Sequence, residues 1–68
     1  MVTENDKKLG RHIQKFRKKA KLTQEELANK VNLSTKYIQF IETAHRRPSL
    51  KTLHKVAKAL NIKIKDLF

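Results

Sequence analysis

Thr35, Lys36, Gln39 and Phe40 fall on one side of any helix that contains them, because successive residues turn by about 100°. Tyr37, Ile38 and Ile41 gather on the other side. One face can bury, and the other is free to touch something outside the domain. The outward set combines a cation, an amide, a hydroxyl and an aromatic ring, which are groups suited to base edges in a DNA major groove. A lysine near a helix start can donate to guanine O6 and N7. A threonine can meet a base edge or a thymine methyl, and an aromatic ring can lie on thymine methyls. Each residue also has a plainer role. Lys36 can meet a phosphate or solvent, Thr35 can be an ordinary first-turn residue, and Phe40 can be partly covered by a loop or a partner.

The next stretch adds cations. Arg46 and Arg47 lie in a loop beside His45, where they can meet a phosphate backbone, enter a minor groove, or simply be solvated. Lys51 falls in the first turn of a helix, where the helix dipole disfavours a cation; a nearby phosphate gives it a reason. The run Arg17-Lys18-Lys19-Ala20-Lys21 reads as the solvated last turn of a helix, where cations suit the dipole. Catalysis finds no comparable support. His12, His45 and His54 have neither cysteines nor metal-binding spacing beside them. No glycine-rich phosphate loop is present, and six acids in all leave little to build a tuned carboxylate pair. Neither cofactor nor metal is implied.

Short helices must position these groups. Thr23 opens a T-x-x-E capping box with Glu26, so a helix starts there, with Leu27, Ala28 and Val31 inward. Asn32 tolerates the left-handed backbone of a sharp stop, and Ser34 caps the next helix, which runs to about residue 43. Before this pair, Leu9, Ile13, Phe16 and Ala20 predict a helix over about 6–19, preceded by a flexible arm over residues 1–5. After it, Pro48 fixes a loop from Thr43 to Pro48. Ser49 then caps a fourth helix with Leu50, Leu53, Val56, Ala57 and Leu60 inward. Asn61 gives another left-handed stop, and a short fifth helix over about 64–68 returns Ile64, Leu67 and Phe68 to the core. Lys21 and Ala44 also stand just past helix ends; positive φ at either costs about 1 kcal/mol. The expectation is an all-α, five-helix domain with no strand.

Length and charge narrow the partners. With 68 residues there is room for one small core and modest stability. Seventeen Lys and Arg against six Asp and Glu give a net charge of +11, which points to nucleic acid, an anionic membrane or an acidic protein. No apolar run is long enough to span a bilayer, and no Trp- or Phe-rich amphipathic face lies outside the core, so a membrane partner is not expected. The absence of cysteine fits a reducing cytosol, and MVTENDKK lacks the apolar core of a signal peptide.

The ordered set Leu9-Gly10, Ile13, Phe16-Arg17, Leu22-Thr23-Gln24-Glu25-Glu26-Leu27-Ala28, Ile38, Ile41-Glu42, Pro48-Ser49 and Leu53…Ala57…Leu60 resembles the lambda-repressor-like helix-turn-helix family, also called Cro-type or xenobiotic-response-element proteins. The resemblance covers nearly all of residues 9–68. It implies a five-helix domain, helix-turn-helix at helices 2 and 3, binding operator DNA as a homodimer on a near-palindromic site. By position, it puts Gln24 on a phosphate, Ser34 and Thr43 near phosphate-contacting places, and Thr35, Lys36 and Phe40 among the base-reading side chains. It also implies a structural ion pair between Arg17 and Glu42. This chain departs from the family in having Lys21, Asn32, Ala44 and Asn61 where glycine is common, and Phe40 where a polar residue is more usual. The function expected is a cytoplasmic, DNA-binding transcription regulator, a repressor. The alternative is an antitoxin or adaptor of the same fold that holds a partner protein.

Overall fold

A computed structural model describes residues 3–68. Four α-helices follow one another: α1 (Glu4–Lys19), α2 (Gln24–Val31), α3 (Thr35–Glu42) and α4 (Leu50–Ala59). A single 3-10 turn, Ile64–Leu67, comes last. The described residues contain no strand. The helix expected over 64–68 is therefore this 3-10 turn. Asp66 N–H bonds to Lys63 C=O at 2.9 Å and Phe68 N–H to Lys65 C=O at 3.2 Å, the three-residue closure of a segment too short for α-helical rings.

Polar side chains start each α-helix. Thr23 and Glu26 form the expected capping box of α2, and the hydroxyls of Ser34 and Ser49 accept from Tyr37 and Thr52 N–H groups. A further box, Thr3 with Asp6, starts α1 at Glu4. Within the expected arm over 1–5, Thr3 is a cap and Glu4 and Asn5 are helical. Met1 and Val2 lie outside the described residues. The stops are left-handed. Lys21, Asn32, Ala44 and Asn61 all have positive φ, between 58° and 65°.

The core joins Ile13 of α1, Leu27 of α2, Ile38 and Ile41 of α3, Val56 of α4 and Leu67 of the last turn, all less than 2 % exposed. Against expectation, Ala20 is exposed, because the chain leaves α1 there. Leu50 is 64 % exposed. A helical side chain lies over the turn that precedes it, and Leu50, first in α4, has no such turn. Phe68 is 70 % exposed, just past the 3-10 turn that buries Leu67. Gly10 lets α1 cross the end of α3 closely: a Cβ there would stand 2.5 Å from the Glu42 carbonyl oxygen and 2.7 Å from that of Ile41. This fixes the end of α3 against α1 and leaves its opposite face outward.

Candidate nucleic-acid interface

α3 is anchored from behind. Ile38 and Ile41 are buried, while Lys36 and Gln39 are exposed and Thr35 and Phe40 half-buried. The Lys36 ammonium sits 5.9 Å from the centre of the Phe40 ring, within cation–π range. Ser34, Lys36, Tyr37, Phe40 and Arg46 line one shallow groove. The helix and the loop after it therefore present a mixed apolar and cationic strip. Tyr37, assigned inward from its spacing, is half-buried: it touches the core and also lines this groove.

The C-terminal end of α3 is held by charge. Arg17 donates to Glu42 through Nε at 2.6 Å and Nη2 at 3.2 Å, and its Nη1 donates to the Leu22 carbonyl at 2.7 Å. Side-chain exposures of 8 % and 1 % make this a buried pair, as the family resemblance implied. Gln24 completes it by donating Nε2–H to Glu42 Oε1 at 3.0 Å. The carboxylate can only accept, so it fixes which way the amide faces. Gln24 thus binds the first turn of α2 to the last turn of α3, and one amide hydrogen remains for an outside acceptor.

The two loop arginines diverge. Arg46 is exposed and lines the groove with Lys36 and Phe40. Arg47 turns to α1, where Nε and Nη2 donate to the two Asp6 carboxylate oxygens at 2.9 and 3.0 Å. Arg47, then the Thr3 N–H, hold the Asp6 carboxyl well below the usual carboxylate range. Asp6 in turn raises the affinity of the Arg47 guanidinium for its proton. Lys51 is exposed in the first turn of α4 beside the cap residue Ser49. Thr43 gives its hydroxyl hydrogen to the Gln39 carbonyl at 2.7 Å. Of the residues singled out from sequence, Ser34, Lys36, Phe40 and Arg46 come together in one groove. Thr35, Gln39 and Lys51 are on α3 or at the α4 start outside that groove lining. Gln24, Thr43 and Arg47 have partners within the chain. Sequence reasoning missed Asp6 and the groove side of Tyr37; the T-x-x-D spacing of Thr3 and Asp6 was a readable signal for the first.

Two short helices joined by a tight turn, the second buried at its back and open in front, define a helix-turn-helix. A helix-turn-helix family model matches residues 13–67, and the chain belongs to that family. Among similar proteins, an uncharacterized HTH-type transcriptional regulator of Archaeoglobus fulgidus is 45% identical over 56 residues, covering 82% of this chain and 79% of that protein. The immunity repressor protein of Bacillus phage phi105 is 48% identical over 56 residues, 82% of this chain and 39% of the repressor. The restriction-modification controller protein C.AhdI from Aeromonas hydrophila superposes with a TM-score of 0.94 at 32% identity, covering 97% of this chain and 100% of that one.

Proposed function

We propose that this chain is a sequence-specific, double-stranded DNA-binding transcription regulator that acts as a repressor. α3 enters the major groove. The observation that carries the reading is the two-sidedness of α3: Ile38, Ile41 and the Arg17–Glu42 pair hold one side, while Lys36 and Gln39 stand exposed and Phe40 half-exposed on the other. Lys36, Phe40, Gln39 and Thr35 meet base edges, and Ser34, Arg46 and Lys51 meet phosphates around them. Gln24 reaches a phosphate with the amide hydrogen that Glu42 leaves free. Thr43 and Arg47, both held internally, border the contact. The names of the phage repressor and the restriction-modification controller support this class of function. The +11 charge supplies the attraction for a polyanion. The reading places the protein in the cytoplasm, on DNA.

A second copy completes the site. One small domain spans one half-site, so two subunits on a near-palindrome double the contact. Exposed Phe68 lines a groove with Leu9, Pro48 and Leu53, and Leu50 is exposed at the start of α4; they supply apolar surface for self-association. The same surface would serve an adaptor that holds another protein. Selection of bound sequences from random DNA decides between these functions. The expected result is a strongly enriched near-palindrome; tight binding to a protein partner with no enriched DNA sequence would establish the adaptor reading instead.

A further inference from the structure

The four α-helices stop in the same way. After each positive-φ residue, the next N–H reaches back five residues: Leu22 to Arg17 C=O at 3.1 Å, Leu33 to Ala28 at 2.9 Å, His45 to Phe40 at 2.8 Å and Ile62 to Ala57 at 3.0 Å. In this motif the residue after the left-handed one is commonly apolar and packs back on its helix. Leu22, Leu33 and Ile62 do so, half-buried against the core. The stop after α3 differs. There the position holds His45, exposed, with its ring 6.1 Å from that of Phe40 and tilted by 45°.

Hydrogen-bond accounting puts a hydrogen on Nδ1 of that ring. Thr43 Oγ1 lies 2.7 Å from the Gln39 carbonyl oxygen and 2.8 Å from His45 Nδ1. A hydroxyl has one hydrogen, and a carbonyl can only accept. The hydroxyl therefore donates to Gln39, and Nδ1–H of His45 donates to the hydroxyl oxygen. A neutral ring with its hydrogen on Nδ1 leaves Nε2 a bare acceptor. Only the imidazolium form turns Nε2 into a donor.

We infer that His45 is a further DNA-contacting residue, donating Nε2–H to a backbone phosphate at the end of α3, and that Thr43 is the residue that positions its ring. This rests on the DNA-binding reading above. Contact with phosphate requires both ring nitrogens protonated, so binding takes up a proton and affinity rises as pH falls. The setting supports a cation there, since the carbonyl end of α3 favours positive charge. The charged groups around the loop are Lys36 on α3, Arg46, and Arg47 with Asp6 of α1 held against it.

The test uses the full chain and a duplex recovered by selection, at constant ionic strength, from about pH 8 to about pH 5.5, the range in which histidine ordinarily titrates. The intact protein is expected to gain about 3–10-fold in affinity across that range. His45→Gln should abolish the gain, Thr43→Val should remove most of it, and Thr43→Ser should keep it. The double variant Thr43→Val with His45→Gln should be no worse than His45→Gln alone. His12→Gln and His54→Gln, which alter rings elsewhere, should keep the gain. A His45→Gln protein with the full pH response overturns the inference while leaving DNA binding intact, as does a Thr43→Val protein indistinguishable from the parent. Failure to bind any duplex at any pH overturns the DNA-binding reading as well.

Discussion

The Lys36 ammonium lies over the Phe40 ring and both residues line the groove, whereas Ile41, one residue further on, is 1 % exposed. The consequences of truncation separate accordingly. Ile41→Ala leaves a core cavity and should cost about 2–5 kcal/mol of stability. Phe40→Ala, at a half-buried position, should cost about 1 kcal/mol. Thermal melting of both variants checks this; equal losses would make Phe40 a core residue and remove it from the reading face. Asp6 offers a test in pH. Its pKa is depressed in the folded state by Arg47 and the Thr3 N–H, so its stabilisation is present above the unfolded carboxylate pKa and is lost as pH falls through the folded one. Asp6→Asn should therefore melt lower than the parent near neutral pH, with the gap closing on strong acidification. A gap that persists unchanged in acid would mean that the Asp6 charge is not its source. The Arg47 partner was not legible in the sequence, since nothing local links positions 41 residues apart.

At the scale of elements, the Thr23–Glu26 capping box and the Ser34 and Ser49 caps could be read because each is encoded within four residues; the Thr3–Asp6 box is just as local but was missed. Apolar spacing puts the start of α1 too late, because it begins only at Leu9 while the first turn is all polar. Asn32 and Asn61 announced their left-handed stops by residue type; Lys21 and Ala44 did so only by standing just past a helix. Leu50 had the right spacing but no preceding turn to cover it. Lys21 is exposed at φ 61°, so Lys21→Gly should relieve strain and raise stability by about 0.5–1 kcal/mol, about 2–8 °C in melting temperature. An unchanged or lower melting temperature would show that the backbone there is unstrained. Where α1 meets α3, Glu42→Ala leaves the Arg17 charge buried without its partner and should cost about 3–5 kcal/mol, enough to unfold much of so small a domain. Glu25→Ala, at an exposed position, should stay within about 0.5 kcal/mol of the parent. Denaturant titration of the two compares them directly; similar midpoints would refute the role given to the pair.

For the whole molecule, the claim at stake is that one face reads bases while its borders grip the phosphate backbone. The folded frame holds α3 through its apolar side and through Glu42, which presents its outer residues in a fixed register. Charge alone would give binding without sequence preference, with the logarithm of affinity falling by about 0.9 per displaced phosphate for each unit of log salt. Base reading adds discrimination at defined positions. The most direct measurement is the affinity of the intact protein, Lys36→Ala and Lys51→Ala for a panel of single-base variants of the selected duplex at fixed salt. Lys36→Ala should relax discrimination at one or two positions by about 1–3 kcal/mol, whereas Lys51→Ala should weaken binding to every duplex alike. Uniform weakening by Lys36→Ala, with the base preference of the parent intact at every position, would contradict the placement of α3 as the reading helix.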